Sequence, residues 1–560
     1  MKSERHTGRL ALALLSVAVL AVPAYPLITE NIDIIWTISG DTSLSAFGAS
    51  LASGDVNSDG ISDILVASDS LDREHEGYRG MVNIYYGNHV GSTVPDLVLR
   101  SPVLKGSNSP NLASGDLNGD GYADVAMGEE MADHGGGTCT VFMGGNPMDT
   151  TPAFIIYGKS SWWLNFHFGC DVSIGDVNGD GQDDLVVGAY STAESPGDQG
   201  TGRVYVFYGG ATFDTIPDVV LRGGHDGYYE GFGIRVSAEG DFDHDGFHDL
   251  YIGAWVYGSD TRGRMYVYYG GDPMDTSYDM AMSGEGPGQK LGFDKPGALS
   301  AQGNFDYAVA GCELWSDGGG SQRGKVYIHE GGRPMDSIPD ISLLGPQESC
   351  DLGVSAQSAG DATGDGNDDL IAGAPSVHPP STAGAAYLWE TGAHFDTIPD
   401  AWMLGESEWQ LVGFETSTAG DLDGDGRSEF MVSNYPSDEP TYVWVCKYTG
   451  SGIEEEEALR VRNGATLRAY PNPSQNQVRV SLPSPAGENL PVRICDVTGR
   501  VVRTLTVGPG AFGRPQREVV WDLRDNAGRP VGQGVYLIGL EQSNGNATRR
   551  SSAKVIVEKQ

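Results

Sequence analysis

Basic residues are scarce in this chain, with 35 Lys and Arg against 76 Asp and Glu among 560 residues, a formal net charge of −41. A nucleic-acid interface needs a basic surface to neutralise phosphates, and an anionic membrane attracts the same kind of surface. The composition therefore argues against both partners. The excess of carboxylates favours bound cations, or partners that bring cations.

Cysteine and catalytic motifs are scarce as well. The six cysteines are irregularly spaced, which excludes a CxxC metal site and a dense disulfide framework. Cys312 and Cys350 could pair, but small buried thiols are the simpler interpretation for most of the six. The sequence contains no GxSxG, no HExxH and no phosphate-binding loop. We therefore predict that the protein is not an enzyme.

Long apolar runs are limited to the N-terminus. Lys2, Arg5 and Arg9 precede an apolar stretch of 13 residues, Leu10–Val22, and small residues allow cleavage after Ala24. A run of this length is too short to span a bilayer comfortably. Residues 1–24 are therefore predicted to be a signal peptide. We expect a secreted or cell-surface protein with no transmembrane helix in the mature chain.

Glycine is abundant, at 81 residues, and much of it belongs to a repeat. An acidic loop recurs as GDVNSDGISDILVA (54–67), GDLNGDGYADVAMG (115–128), GDVNGDGQDDLVVG (175–188), GDFDHDGFHDLYIG (240–253), GDATGDGNDDLIAG (360–373) and GDLDGDGRSEFMVS (420–433), with a shortened copy, GNFDYAVAG, at 303–311. The residue after each leading glycine is 55, 116, 176, 241, 304, 361 or 421, so the steps are 61, 60, 65, 63, 57 and 60 residues. This period predicts seven units of one repeat architecture.

Each unit contains about four short alternating strands bounded by glycine and proline. Four antiparallel strands repeated seven times predict a seven-bladed β-propeller over residues 32–450. The last unit stops after its third strand, at 441–448, whereas Ile32–Gly40 has the pattern of a closing strand and precedes the first unit. We therefore expect Ile32–Gly40 to complete the seventh blade.

The acidic loops have the chemistry of calcium sites. Ca²⁺ takes six to eight oxygen ligands, and a loop with a glycine turn at position 6 can supply side chains 1, 3, 5 and 9 and carbonyl 7. The alternatives are polar Asx turns in a single loop, or Mg²⁺, which needs a tighter octahedron. The predicted ligands, for up to six structural Ca²⁺ ions, are Asp55, Asn57, Asp59, Ile61 and Asp63; Asp116, Asn118, Asp120, Tyr122 and Asp124; Asp176, Asn178, Asp180, Gln182 and Asp184; Asp241, Asp243, Asp245, Phe247 and Asp249; Asp361, Thr363, Asp365, Asn367 and Asp369; and Asp421, Asp423, Asp425, Arg427 and Glu429.

Two of the seven units differ from the others in their acidic loop. The fifth unit keeps its strand but has lost the loop, so a blade is expected to form without the metal. Thr363 is a neutral ligand, and a weaker site is expected there. Carboxylates without a metal repel one another, so we expect chelation to lower the melting temperature.

These motifs resemble the FG-GAP repeats of integrin α-subunit propellers over roughly Ile32 to Tyr448. An EF-hand differs, because it needs a glutamate at loop position 12, where this chain has strand residues such as Val66 and Val187. The resemblance implies a propeller with structural calcium that serves extracellular recognition or adhesion.

A second region follows a predicted linker at 451–465. From Ala458 onward Lys and Arg number 15 against 7 Asp and Glu, and alternating strands predict a small immunoglobulin-like β-sandwich over 466–560. Its motifs YPNP (470–473), DVTGR (496–500), WD (521–522) and GVY (534–536) resemble both the sorting domain of type IX secretion cargo and the FlgD-like domain. That resemblance implies contact with secretion machinery and outer-membrane export. An ordinary structural sandwich is the alternative.

The predicted function is recognition of an extracellular protein or glycan, on an all-β chain of a seven-bladed propeller and a small β-sandwich. Two alternatives stay open, a catalytic platform for polysaccharide or phosphodiester hydrolysis and a structural envelope or matrix component. His244 and His248 are expected to be non-ligands, and the acidic pairs 183–184 and 368–369 to be non-catalytic. Trp162 and Trp163 could stack on a sugar ring, but core or inter-blade packing is the simpler interpretation. The variable loops 70–78 and 191–199 are candidate binding surfaces.

Overall fold

The computed structural model describes residues 27–557, except for 41–43, 73–76, 105–108, 159–165, 193–199, 224–228, 303–304, 317–321, 378–381, 393–394, 436–440, 451–467, 471–476, 487–489, 497–499, 508–515, 533 and 544–547. The predicted signal peptide and linker, Trp162 and Trp163, and most of loop 191–199 lie outside the described residues. None of the helices within the described ranges is long and apolar enough to cross a membrane.

Seven antiparallel sheets follow one another along residues 27–448, and we call them blades 1 to 7. Two strands, β1 (Leu27–Glu30) and β2 (Ile32–Ser39), precede blade 1. Blade 1 contains β3 (Leu44–Ser45), β4 (Leu51–Gly54), β5 (Asp63–Asp72), β6 (Gly77–Tyr85) and β7 (Leu97–Arg100). Blade 2 contains β8 (Asn111–Gly115), β9 (Asp124–Glu129), β10 (Thr138–Phe142) and β11 (Phe154–Tyr157). Blade 3 contains β12 (Phe168–Gly175), β13 (Asp184–Ala189), β14 (Arg203–Phe207) and β15 (Val219–Arg222).

The other four blades repeat this order of strands. Blade 4 contains β16 (Phe232–Gly240), β17 (Asp249–Ala254), β18 (Arg264–Tyr268) and β19 (Met280–Ser283). Blade 5 contains β20 (Gly297–Leu299), β21 (Tyr307–Cys312), β22 (Lys325–Glu330) and β23 (Ile341–Leu344). Blade 6 contains β24 (Ala356–Ser358), β25 (Leu370–Ala374), β26 (Ala385–Trp389) and β27 (Ala401–Gly405). Blade 7 contains β28 (Val412–Gly420), β29 (Glu429–Asn434) and β30 (Tyr442–Tyr448). The described residues also include two short 3-10 helices, Gly87–His89 and Asp133–Gly135. The seven-bladed all-β fold is confirmed.

The first strands of the blades meet around one axis. A cavity of about 120 Å³ is lined by side chains on or beside the first strand of all seven blades, including Ser53, Ser114, Ile174, Glu239, Lys295, Gln357 and Ser417. Charged side chains also lie on these strands, and Lys295 of blade 5 approaches Glu415 of blade 7 at 4.0 Å. The sheets are therefore arranged as a ring.

Apolar residues from adjacent blades share each core. Val186 and Val204 of blade 3 cluster with Leu250 and Ile252 of blade 4. In the same way, Trp36 clusters with residues of blades 7 and 1. Because each face of a blade packs on a neighbour, every residue of second strands such as β9 and β13 is buried. The stabilising contacts are thus distributed around the ring.

The ring closes through distant parts of the chain. β2 pairs antiparallel with β30, from Ile32 opposite Tyr448 to Ser39 opposite Tyr442. The predicted completion of the seventh blade is therefore confirmed. A further strand was not predicted: β1 pairs with β27, which gives blade 6 a fifth strand at its outer edge.

The C-terminal region has two small sheets with one common core. One sheet contains β31 (Arg468–Tyr470), β32 (Val478–Ala486) and β35 (Gln516–Trp521). The other contains β33 (Leu490–Asp496), β34 (Val501–Val507), β36 (Gly534–Ser543) and β37 (Thr548–Val557). Val478 and Trp521 of the first sheet cluster with Val492 and Ile538 of the second, which is the packing expected of a sandwich.

Two details of the prediction are resolved. The predicted loop 70–78 is largely a hairpin, because β5 continues to Asp72 and β6 begins at Gly77. Cys312 and Cys350 are both free and buried, as are Cys139, Cys170 and Cys446. These cysteines contribute to the apolar cores and not to disulfides.

Candidate metal centres

The acidic loops connect the first and second strands of their blades. The loop of blade 1, residues 55–63, begins after β4 and ends at the start of β5. Backbone bonds join successive loops: Ala123 N donates to Asp55 O, Asp183 N to Asp116 O, His248 N to Asp176 O, Asp306 N to Asp241 O, Asp368 N to Ser300 O and Ser428 N to Asp361 O. The loops therefore lie side by side at one end of the ring.

The carboxylates at positions 1 and 5 organise each loop. In blade 1, Asp55 accepts hydrogen bonds from the backbone N–H groups of Asp59 (3.0 Å) and Gly60 (2.8 Å). Asp59 accepts one from Ile61 N–H at 3.0 Å. The same three bonds recur in the loops of blades 2, 3, 4, 6 and 7. The six loops consequently share one backbone turn.

Glycine at position 6 is needed for its backbone conformation. Gly60 has φ +89°, and a Cβ placed on it would meet nothing within 4 Å. Because the space is open, only the left-handed φ excludes other residues there. The sequence analysis assigned the glycine at position 6 to the turn of the loop, and the backbone conformation of Gly60 agrees with that role.

The position-9 carboxylate is buried and ties the loop to the blade. Asp184 Oδ2 accepts bonds from the N–H groups of Val177 (3.0 Å) and Asn178 (3.1 Å), and Oδ1 accepts one from Gly209 (2.7 Å). The position-9 aspartates of four other loops accept corresponding bonds from a backbone N–H of the loop and from the N–H of the second residue after the third strand. These aspartates are Asp63, Asp124, Asp249 and Asp369. Position 9 therefore has a structural role in addition to the ligand role predicted for it.

Burial raises the pKa of these position-9 carboxyls. The pKa reaches about 7 for Asp63, Asp124 and Asp184, and about 8 for Asp249 and Asp369. Loss of water around the carboxylate is the main cause, and neighbouring loop carboxylates raise the value further. A bound cation would stabilise the ionised form, so the loops have the electrostatics of a cation site.

Two loops bring three carboxylates to one point. Oxygen atoms of Asp241, Asp243 and Asp249 lie within 4.8 Å of one another, and so do those of Asp421, Asp423 and Glu429. In blades 1, 2, 3 and 6, position 3 is instead Asn or Thr. One buried oxygen at position 3, Asp243 Oδ1, has no hydrogen-bond partner among the described residues, as expected of an atom available to a metal. The oxygen donors of the acidic loops are therefore of the kind that Ca²⁺ takes.

Two basic side chains near these carboxylates were missed from the sequence. Arg333 Nη1, from the turn after β22, lies 2.7 Å from Asp243 Oδ2 and 2.8 Å from Asp245 Oδ2. Lys447 Nζ, from β30, lies 2.7 Å from Asp425 Oδ2 and also contacts Asp423. An alignment of the third strands of the seven units would have shown that only the seventh unit has a basic residue, Lys447, at this position.

The acids at position 8 hold adjacent blades together. Asp183 Oδ2 accepts a bond from Asp116 N–H at 2.8 Å, and Asp368 Oδ2 accepts one from Ser300 N–H at 3.3 Å. In the shortened blade-5 loop, Asp306 accepts bonds from Asp241 N–H and Ala301 N–H, both at 3.0 Å. The bonds of Asp306 thus connect blade 5 to blade 4 although the acidic loop of blade 5 is shortened. The bonds of Asp183 and Asp368 give the acidic pairs 183–184 and 368–369 a structural explanation.

The loop histidines are in neither carboxylate cluster. His244 is exposed. His248 is half-buried between blades 3 and 4, where its backbone N–H donates to the backbone carbonyl of Asp176 at 2.8 Å. The prediction that they are not ligands stays a prediction.

Comparison with known proteins agrees with the repeat. Residues 55–127 match the FG-GAP-like repeat, and residues 168–207 match the FG-GAP repeat. The chain carries FG-GAP repeats. Its C-terminal region, at residues 469–546, matches the FlgD Ig-like domain. The FG-GAP propeller and the Ig-like domain are thus both identified, and none of these three descriptions is of an enzyme.

The curated relatives of this chain include integrin α subunits. Integrin alpha-5 of Xenopus laevis is 32% identical over 163 residues, 29% of this chain and 15% of that protein. Integrin alpha-PS2 of Drosophila melanogaster is 31% identical over 169 residues, which are 29% of this chain and 11% of that protein. Human integrin alpha-IIb is 38% identical over 109 residues, 19% and 10% of the two chains. The match spans at most 15% of the length of these three relatives.

Among solved structures, that of PorZ, an essential bacterial surface component of the type-IX secretion system of Porphyromonas gingivalis, aligns with a TM-score of 0.36 and 12% identity. The alignment covers 91% of this chain and 59% of the PorZ chain. A likeness of this size does not establish a shared fold.

Proposed function

We propose that this protein is a secreted or surface-exposed propeller that recognises an extracellular protein or glycan, and that calcium stabilises its acidic loops. The carrying observation is the repetition of one acidic loop, with the same internal bonds, in six of the seven blades of an integrin α-like FG-GAP ring. A ring fixed at one end by these loops offers a rigid support for variable loops, which is how binding surfaces are commonly built.

Calcium is assigned to side chains 1, 3, 5 and 9 and carbonyl 7 of the loops, the thirty residues given above. The support is their oxygen-only chemistry, the buried position-9 carboxylates and Asp243 Oδ1, which has no hydrogen-bond partner within the described part of the chain. When bound, Ca²⁺ would offset the repulsion among these carboxylates. The loop residues themselves hold the turn and anchor it to the strands.

The C-terminal domain is proposed to direct export. The FlgD Ig-like match and the motif order that resembles type IX cargo support a role of residues 466–560 in contact with secretion machinery. Together with a signal peptide at 1–24 and a linker at 451–465, this arrangement would place the propeller of residues 32–450 outside the cell.

The test is capture on an array of glycans and matrix proteins, with Ca²⁺ and with chelator, beside melting curves in the same two buffers. We expect one class of ligand to be captured only with Ca²⁺, and chelation to lower the melting temperature. Capture of nothing in either buffer would favour a structural envelope component. An identical melting curve in both buffers would reject structural calcium. Turnover of a polysaccharide or phosphodiester on the array would favour the catalytic alternative.

A further inference from the structure

A lysine side chain occupies the centre of the seventh acidic loop. Lys447 Nζ lies 2.7 Å from Asp425 Oδ2 and 3.6 Å from Glu429 Oε1, and it donates a hydrogen bond to Asp423. The Glu429 side chain is fully buried, and Lys447 is only 22% exposed. One ammonium group therefore faces the carboxylates at positions 3, 5 and 9 of this loop.

No other blade has a cation at this position. Phe430 pairs with Cys446, the residue before Lys447, and the same pairing defines the equivalent residue in each blade. These equivalents are Tyr86, Met143, Tyr208, Tyr269, Glu330 and Glu390. The lysine is thus a departure of blade 7 from its own repeat.

Position 9 of the same loop departs from the repeat as well. In blades 1, 2, 3, 4 and 6, one oxygen of the position-9 aspartate accepts an N–H from the residue that follows the third strand by two. Glu429 accepts a bond at Oε2 from Leu422 N–H (2.8 Å), while its Oε1 has no hydrogen-bond partner among the described residues and faces Lys447. The extra methylene of glutamate thus turns the second oxygen toward the ammonium instead of the backbone.

Arg333 in blade 4 provides a contrast. Its guanidinium comes from the turn of the next blade, is 60% exposed and contacts Asp243 and Asp245. An exposed arginine at the rim can leave when a metal arrives, whereas Lys447 projects from a paired strand into the loop. The fourth loop is therefore compatible with a metal ion.

We propose that the Lys447 ammonium closes the seventh loop in place of a metal ion. Ca²⁺ needs the same carboxylate oxygens at 2.3–2.6 Å, so the ion and the ammonium exclude each other. This inference rests on the proposed calcium binding by the other loops, and it reduces the expected number of ions from six to five. The blade that closes the ring would then be independent of calcium supply.

The experiment is to count calcium ions bound by the full chain after chelator treatment and equilibration with Ca²⁺. Lys447→Met, which keeps length and removes the charge, should bind one more equivalent than the wild type. The matched control Arg333→Met should bind the same number as the wild type. Equal numbers for Lys447→Met and the wild type would overturn the proposal.

A second variant keeps the test decisive where Lys447→Met fails to fold. Asp423→Ala in the wild-type background should leave the number of bound ions unchanged, whereas Asp120→Ala in the second loop should lower it by one. A loss of one ion in Asp423→Ala would overturn the inference while leaving calcium binding in place. Absence of bound calcium from the wild type and every variant would instead reject the proposed function itself.

Discussion

At the scale of single residues, the acids of one loop have different tasks. Asp184 is fully buried and accepts three backbone hydrogen bonds, whereas Asp180 is exposed at the turn. Removing a partner from buried N–H groups costs about 1–3 kcal/mol for each group left unsatisfied. Position 9 should therefore matter even without a metal, and position 5 mainly with one.

This difference predicts the behaviour of two alanine variants. Asp184→Ala should lower the unfolding free energy of the propeller by about 3–5 kcal/mol, both with Ca²⁺ and with chelator. Asp180→Ala should cost less than about 1 kcal/mol in chelator and more in Ca²⁺. Urea unfolding of both variants in the two buffers checks this. Equal losses for the two variants in chelator would contradict the structural role of position 9.

The residue scale also shows where sequence reasoning stopped. The glycines, the order of the acids and their spacing predicted each loop, because these properties are local and repeat six times. The role of Lys447 depends on strand register, which brings residue 447 beside residues 423–429. Register is set by pairing between strands and is not visible in one stretch of sequence.

At the scale of elements, β1 and β2 are adjacent in sequence but belong to different blades. β1 adds to the edge of blade 6, and its residues alternate between exposed and half-buried. β2 is the outer strand of blade 7 and contains fully buried Ile38 and nearly buried Trp36. The sequence predicted β2 from its apolar alternation, whereas the four residues LITE gave no such pattern.

Two truncations should separate these strands. A mature chain that begins at residue 31 loses only an edge strand with no fully buried residue, so its melting temperature should change by a few degrees at most. A chain that begins at residue 41 loses Trp36 and Ile38 and exposes the edge of β30, and we expect a fall on the order of 10 °C or more. Calorimetry of the two chains checks this, and similar losses in both would show that β2 does not stabilise the ring.

At the scale of the whole molecule, buried charges meet near the axis. Burial raises the pKa of Glu415 to about 7, while Lys295 and Arg235 lower it and Asp171 raises it further. Because the folded-state pKa exceeds the unfolded one, the stabilisation is complete below about pH 4.5 and is lost as the pH rises through about 7. The ring should therefore become less stable between pH 5 and pH 8.

Glu415→Gln should reduce this pH dependence. The amide does not ionise, so the variant should gain stability relative to the wild type on going from pH 5 to pH 8, by up to about 3 kcal/mol. Urea unfolding at several pH values measures it. The control Glu406→Gln, at an exposed position, should follow the wild-type curve. If the Glu415→Gln curve is also parallel to the wild type, Glu415 is not the group responsible.

Ring closure has a consequence for the order of folding. β2 is synthesised some 400 residues before its partner β30, so it must stay unpaired while six blades form behind it. Only a chain synthesised as far as Tyr448 can cover Trp36 and complete the last sheet. An interrupted chain would therefore keep an open strand edge at β2, which is a template for pairing with other chains.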